Sequence, residues 1–236
     1  MSRLARVIAI DTPHHITQRG NARRSVLECD ADRAVYLQLL SHYCRLYGLS
    51  LAGYCLMSNH VHLVAIPRRL ESQALVLKHT HGRYAAYFNA RNLSSGHVWQ
   101  GRYYSCPLDE RHFWAALRYV ERNPIRAGLA SAPEDYFWSS AKAHCMEGHR
   151  DILVDLELWQ RSWTVAGWRE YIASGEEEEE TAEIRRSTHT GRPMGTPEFV
   201  QSLERALRRP LTPGRGGRPA KQKMDVRQQS FGFERG

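Results

Sequence analysis

The chain has 236 residues, and 42% of them are hydrophobic, which is enough for one well-buried domain with an extension. No apolar run approaches the roughly 20 residues of a membrane-spanning helix, so we expect no contact with a membrane. The first residues contain no secretory hydrophobic segment, and we therefore expect a cytoplasmic location. The five cysteines are widely separated, which argues against a disulfide framework or a zinc ribbon.

The chain is basic, with 33 Lys and Arg against 25 Asp and Glu and a net charge of +8. Almost all of the basic residues are arginines, whose planar guanidinium suits bidentate phosphate contacts and stacking on bases. Nucleic acid is therefore the natural partner. A genome that favours Arg codons would produce the same composition, and composition alone does not separate the two interpretations.

The hydrophobic pattern predicts four strands and three main helices in the order β-α-β-β-α-β-α. The predicted strands lie within residues 3–21, 49–57, 60–66 and 98–105, and the predicted helices within 30–47, 72–92 and 110–123. Asp30 and Asp109 are expected to be helix N-caps, and Ser58 and Asn59 to form a tight hairpin. This order favours an α+β, ferredoxin-like split β-α-β fold with an antiparallel sheet and helices on it.

Composition divides the chain into four predicted parts. Residues 1–150 form the main domain, and residues 151–175 form a helical extension packed on the core. Five consecutive glutamates, within residues 176–183, predict a solvated acidic linker. Residues 184–236 form a basic, partly disordered tail, with one short helix over 197–208 before a stretch rich in Gly, Pro and Arg.

The run His60-Val61-His62 lies in the third predicted strand. Because side chains alternate between the two faces of a strand, both imidazoles point the same way and can share a metal ion. A polar stripe on a half-buried strand is the simpler alternative. A second His-x-His run, His79-Thr80-His81, falls in a predicted helix where residues two apart face nearly opposite ways, so we discount it.

The third main helix supplies two further candidates. Tyr119 and Asn123 are four residues apart and therefore adjacent on one helix face. A tyrosine can form a covalent phosphoryl intermediate when a metal polarises the phosphate, and an amide oxygen can complete a His, His, Asn site. The alternatives are a core aromatic and an ordinary residue at a helix end. Glu121 and Arg122, which lie between them, are expected to be solvated.

Four motifs occur in order along the chain: Tyr54-Cys55-Leu56-Met57-Ser58-Asn59-His60-Val61-His62-Leu63, Val98-Trp99-Gln100-Gly101-Arg102-Tyr103, Arg118-Tyr119-Val120-Glu121-Arg122-Asn123-Pro124-Ile125-Arg126-Ala127-Gly128 and Trp138-Ser139-Ser140. Together they resemble the single-tyrosine HUH transposases, and within them the REP-associated tyrosine transposases. The resemblance covers residues 3–150, and the stretch 190–195 with its basic tail resembles the C-terminal extension of that branch.

The resemblance implies a metal-dependent single-stranded DNA endonuclease and strand transferase with a 5′-phosphotyrosine intermediate. It implies that Tyr119 is the nucleophile and that His60, His62 and Asn123 bind a divalent metal, Mg²⁺ or Mn²⁺. The implied partner is single-stranded DNA with palindromic repeat hairpins, in a bacterial, nucleoid-associated protein. The candidate DNA contacts are Arg19, Asn21, Arg23, Arg24, Arg102, Tyr103, Arg126, Arg208, Arg209, Arg215 and Arg218.

Two other functions stay open on the sequence alone. One is a catalytically inactive protein that binds repeat hairpins, although the intact His60, His62, Tyr119 and Asn123 count against it. The other is a His-x-His metalloenzyme for a small molecule, which the basic tail and the missing carboxylate ligand disfavour. We expect a monomer or a homodimer, with the monomer slightly favoured because the long extension can occupy the surface that a partner would use.

Overall fold

A computed structural model describes residues 5–212 of the chain. Its four strands form one antiparallel sheet in the order β2-β3-β1-β4. Their bounds are His14–Arg19 for β1, Leu49–Leu56 for β2, His60–Pro67 for β3 and Tyr104–Pro107 for β4. Because β3 lies between β1 and β2, the sheet has the split β-α-β order, and the predicted ferredoxin-like α+β fold is confirmed.

Helices α1 (Asp30–Tyr47) and α2 (Ser72–Arg91) pack against each other on one face of the sheet. The core beneath them is built from strand residues on the sheet face opposite to the two histidines, among them Leu51, Val61, Leu63 and Ala65. Asp30 is not the N-cap that we predicted. Cys29 holds that position, because the carboxylate of Asp32 accepts the backbone N–H groups of Glu28 and Cys29 at 2.9 and 3.3 Å.

Helices α3 (Glu110–Glu121) and α4 (Asn123–Arg126) cover the other face. Asp109 caps α3 as predicted, since its side chain accepts the backbone N–H of His112 at 3.0 Å. Contact between α3 and β2 is close at Gly53, where an added Cβ would lie 2.3 Å from Leu117 Cδ1. This glycine therefore sets how near α3 can lie to the sheet.

The hairpin between β2 and β3 forms as predicted, with the backbone N–H of Met57 donating to the carbonyl of His60 at 2.9 Å. The fourth strand differs from the prediction of 98–105. Trp99 makes only an isolated bridge to Gly20, and regular pairing begins at Tyr104. The reason is Gly101, which has φ 65° and turns the chain out of the extended conformation.

The extension adds helices α5 (Ala141–Cys145), α6 (Glu157–Ser162), α7 (Val165–Ala173), α8 (Glu178–Thr190) and α9 (Pro197–Leu207). The expected solvated linker at 176–183 is not what the structure shows: most of it is the first turns of α8. Two of its glutamates pair with arginines of α4 and α3: Glu176 with Arg126 at 2.6 Å and Glu180 with Arg118 at 2.5 Å. These ion pairs reduce the repulsion between the like charges. No helix within residues 5–212 is long and apolar enough to cross a membrane.

Candidate active site

The two histidines of β3 lie on the sheet face that α3 covers. Their ring centroids are 4.9 Å apart, as the alternation of the strand predicts. Across the ladder, His60 is paired with Arg19 and His62 with Thr17 of β1. The discounted pair at 79 and 81 lies within α2, where helical geometry separates the two rings as expected.

A third histidine, His15 on β1, joins this pair. Its Nε2 lies 2.9 Å from His62 Nδ1, and the two rings are nearly parallel, with an interplanar angle of 8° and centroids 5.1 Å apart. His15 is not among the site residues predicted from the sequence. Once β1 is placed beside β3, however, alternation along β1 puts residues 15, 17 and 19 on the histidine face. The predicted sheet order therefore carried the signal that could have found it.

Tyr119 and Asn123 meet the histidines from α3 and α4. The Tyr119 ring makes edge contacts with His15 and His62, at centroid distances of 5.7 and 5.6 Å. Asn123 Nδ2 lies 3.3 Å from His60 Nε2. The backbone continues helically through Arg122 between the two helices, so Tyr119 and Asn123 stay one turn apart. The fold thus brings together the four residues on which the predicted site depends.

Two arginines lie against the tyrosine. The Arg126 guanidinium lies over the Tyr119 ring, 4.1 Å from its centroid, and donates to the Tyr119 carbonyl at 2.8 Å. Arg185 of α8 donates from Nε to the Tyr119 hydroxyl at 3.3 Å. Arg126 therefore lies within the candidate site, and its contact with DNA stays a prediction. Arg185, from the extension, was missed because nothing in the local sequence links α8 to α3.

Burial keeps the histidines of the site neutral. It lowers the pKa of His60 to about 4, an effect to which the positive charges of Arg19 and Arg126 add. Burial lowers the pKa of His15 to about 3 and that of His62 well below its ordinary value. Neutral imidazole is the form that binds a metal ion, so these residues need not lose a proton at neutral pH to do so.

The donor set fits a small divalent cation. Asn59 Oδ1 accepts from His60 Nδ1 at 2.6 Å, which leaves the lone pair of His60 Nε2 directed at the Asn123 amide. Rotation of that amide by 180° exchanges nitrogen for oxygen. Two imidazoles and one amide oxygen would then be the protein ligands. Within residues 5–212 no group of three His, Cys, Asp or Glu side chains is arranged to hold a metal.

Glu121 is not solvated, contrary to our expectation. Its side chain is fully buried, and Oε1 accepts from Ser140 Oγ at 2.7 Å and lies 2.5 Å from His144 Nδ1. Its Oε2 accepts from the indole N–H of Trp168 at 3.1 Å. This network fixes the C-terminal turn of α3, the turn that carries Tyr119, to α5 and α7.

The predicted DNA contacts before the tail lie on two segments, the end of β1 with the turn that follows it and residues 102–103, apart from Arg126 described above. Arg19 is exposed at the end of β1 opposite His60, and the turn that follows exposes Asn21, Arg23 and Arg24. Arg102 is also exposed. Tyr103 is not available to stack on a base, because it is only 9% exposed and the Arg6 guanidinium lies 3.9 Å over its ring.

The tail arginines are partly outside the described residues. Arg208 is exposed at the end of α9, whereas Arg209 donates to the backbone carbonyl of Arg6 at 2.7 Å and so helps to hold α9 on the core. Arg215 and Arg218 lie beyond residue 212. Their contribution to DNA binding therefore stays a prediction.

Comparison with known proteins agrees with this arrangement. The family model of IS200-like transposases matches residues 10–123, a range that spans the whole sheet, the two histidines, Tyr119 and Asn123. In this region the chain matches the IS200-like transposase family. The predicted resemblance is confirmed, and the IS200-like region supports a transposase-like role in processing DNA. None of the curated proteins matches the chain.

Two solved structures were matched to this chain. One is described as a REP-associated tyrosine transposase bound to a REP hairpin; it is 16% identical, with a TM-score of 0.52 over 66% of this chain and 92% of that one. The other, a transposase-like protein from Deinococcus radiodurans R1, is 19% identical, with a TM-score of 0.36 over 51% of this chain and 97% of that one. The first of these supports the transposase fold.

Proposed function

We propose that this protein is a metal-dependent single-stranded DNA endonuclease and strand transferase that works through a 5′-phosphotyrosine intermediate. The observation that carries the proposal is the contact of Tyr119 with the histidine cluster, while Asn123, one helical turn away, meets His60. A phenol beside two neutral imidazoles and an amide is suited to phosphoryl transfer and has no evident use in a passive binding surface.

Tyr119 and Arg185 have separate roles in the proposed reaction. The Tyr119 hydroxyl gives up its proton to solvent, and its oxygen attacks the scissile phosphorus and forms a phosphotyrosine bond. The bond from phosphorus to the 3′-oxygen breaks, and that oxygen takes up a proton from solvent and leaves as a 3′-hydroxyl. Arg185, within hydrogen-bond distance of the tyrosine oxygen, stabilises the negative charge that develops there. Attack by another 3′-hydroxyl on the same phosphorus reverses the bonding and frees the tyrosine. The cycle conserves bond energy and needs no nucleotide cofactor.

His60, His62 and Asn123 are the residues that would hold the divalent metal, Mg²⁺ or Mn²⁺. When bound there, the metal would neutralise phosphate charge and polarise the phosphorus–oxygen bond. The chain's own contribution is to present neutral imidazoles, because the burial of His60 and His62 prevents protonation that would block binding. Two imidazole ligands favour Mn²⁺ over Mg²⁺ by ligand type.

We further propose that the substrate is single-stranded DNA carrying palindromic hairpins. Arg19, paired with His60 across the ladder, and the exposed Asn21, Arg23 and Arg24 of the turn that follows would provide phosphate contacts that lead to the site. The solved REP-associated relative has a hairpin bound, which supports this substrate class. Residues 1–150 would be the catalytic unit, and the monomer is our preferred state.

A denaturing gel tests the proposal. The full chain is incubated with Mn²⁺ and labelled single-stranded hairpin DNA, and a protein–DNA adduct that survives denaturant is the expected product. Tyr119→Phe should form no adduct while it still binds the hairpin. Binding without an adduct in the wild type would support a catalytically inactive DNA-binding protein instead, and an adduct with Tyr119→Phe would show that another residue is the nucleophile.

A further inference from the structure

A chain of three buried side chains connects the candidate metal ligands to helix α8. His62 Nδ1 lies 2.9 Å from His15 Nε2, and His15 Nδ1 lies 2.7 Å from Thr188 Oγ1. The side chains are 6%, 1% and 2% exposed in that order, so water has little access to replace any one of them. In such a hydrogen-bonded series, the donor or acceptor role of the first group fixes which nitrogen of each following histidine carries the hydrogen.

We propose that Thr188 and His15 are positioning residues that hold His62 in the tautomer protonated at Nδ1, so that its Nε2 lone pair is free for a divalent cation. The inference rests on the proposed function, because it concerns the same candidate metal site. It assigns a role to the extension, since Thr188 belongs to α8 and lies far along the chain from the strand that it controls.

The direction of the hydrogen bonds follows from the Thr188 hydroxyl. Its oxygen lies 2.7 Å from the carbonyl oxygen of Ile184. Two oxygens at that separation need a hydrogen between them, and a carbonyl has none to give, so the hydroxyl donates its only hydrogen to Ile184. Towards His15 the same oxygen can then act only as an acceptor, and His15 Nδ1 must carry the hydrogen.

The positions of the other hydrogens in this hydrogen-bonded series are then determined. Neutral imidazole has one N–H group, so His15 Nε2 is an acceptor and receives the hydrogen of His62 Nδ1. The remaining nitrogen of His62, Nε2, keeps its lone pair. Cys106 Sγ lies 3.3 Å from the same Thr188 oxygen, and its thiol can donate to that oxygen without changing these assignments.

Hydrogen bonds running in the opposite direction would prevent His62 from binding a metal ion through Nε2. If Thr188 donated to His15 Nδ1, then His15 Nε2 would donate to His62, and the hydrogen of His62 would lie on the nitrogen that must bind the metal. Hydrogen bonds of this kind behind a metal-binding histidine set its tautomer and ring orientation, and their loss costs roughly 10–100-fold in metal affinity.

The test uses a valine substitution that keeps the shape of the side chain and removes the hydroxyl. In Thr188→Val, His15 Nδ1 loses its acceptor, and we expect the His15–His62 pair to shift towards the reversed tautomers. Long-range ¹H–¹⁵N spectra of histidine-labelled protein, without metal, distinguish the two forms. The His62 signal is assigned by its loss in His62→Gln. Titration with Mn²⁺ should then show an affinity roughly 10–100-fold below wild type.

Two variants separate this role from a merely structural one. Thr188→Ser keeps the hydroxyl and should restore both the Nδ1-protonated spectrum and the Mn²⁺ affinity. Thr190→Val removes a hydroxyl from the same helix that donates only to backbone carbonyls, and it should change neither. A shift in melting temperature alone, with the tautomer unchanged in Thr188→Val, would overturn the proposal.

The tautomer also keeps this inference distinct from the proposed function. A wild-type His62 protonated at Nε2 would overturn the inference even if the protein cleaves DNA. A wild type with the expected tautomer but no Mn²⁺ binding would instead count against the metal-dependent reaction, and it would leave the hydrogen-bond assignment intact.

Discussion

Glu176 accepts two hydrogen bonds from Nη1 of Arg126, at 2.7 and 2.6 Å, and Arg126 in turn lies over the ring of Tyr119. A second pair, Arg118 with Glu180 at 2.5 Å, joins the same two segments. Through these two ion pairs, the glutamate run at residues 176–180 neutralises Arg126 of α4 and Arg118 of α3. It orients one cation above the candidate nucleophile and holds α8, with Arg185 and Thr188, over the site.

We expect Glu176→Gln to lower the free energy of unfolding by about 1–3 kcal/mol, because it leaves a half-buried guanidinium without its anion. Urea unfolding at neutral pH measures this loss. Glu179→Gln is the matched control, since Glu179 belongs to the same run of five glutamates, is exposed and forms no ion pair within the described residues. Equal stability of the two variants would show that the Glu176–Arg126 ion pair does not stabilise the fold.

Arg185→Gln should slow adduct formation by roughly tenfold or more, because it removes the charged donor beside the Tyr119 hydroxyl. The rate is measured with hairpin DNA and Mn²⁺ under single-turnover conditions. Arg186→Gln, which removes an exposed charge at the next position, controls for the general loss of DNA attraction. If both variants slow the reaction equally, Arg185 acts only through long-range charge.

Gly53→Ala should destabilise the protein by about 1–3 kcal/mol, because the new methyl group overlaps Leu117 and forces α3 away from β2. The same shift would move Tyr119 and reduce adduct formation. Gly82→Ala in α2 is the control: nothing lies within 4 Å of its added Cβ, and alanine should stabilise this helix by about 0.5–1 kcal/mol. Similar effects of the two substitutions on the unfolding midpoint would contradict this account.

Stability should fall as the pH is lowered from 6.5 towards 4. Burial lowers the pKa of His14 to about 4, so in that range the unfolded chain binds a proton there that the folded protein does not. Each such histidine lowers the free energy of unfolding by about 1.4 kcal/mol per pH unit in this range.

Urea unfolding over this pH range measures the effect. The slope of the free energy of unfolding against pH should be smaller by about one proton in His14→Asn than in wild type. His97→Asn, at an exposed position, should leave the slope unchanged; an unaltered slope in His14→Asn would disprove the assignment.

Local sequence patterns were sufficient to predict the placement of a residue wherever the interaction that fixes it involves residues close in sequence. The alternation of β3 placed His60 and His62 on one face, and helical spacing placed Asn123 one turn after Tyr119. The tight hairpin at residues 58 and 59 and the N-cap at Asp109 were equally local. Patterns failed where a distant group decides, as at Glu121, whose burial depends on Ser140, His144 and Trp168.

Periodicity and short-range spacing were enough to predict the order of strands and helices, the ferredoxin-like class and four residues of the candidate site, because they fix which side chains share a face. Tertiary packing was needed to place His15, Arg185 and Thr188 at that site and to pair Glu176 and Glu180 with arginines where a solvated linker was expected. Those contacts join segments more than 40 residues apart. Their formation depends on how the sheet and α8 pack, which no local pattern records.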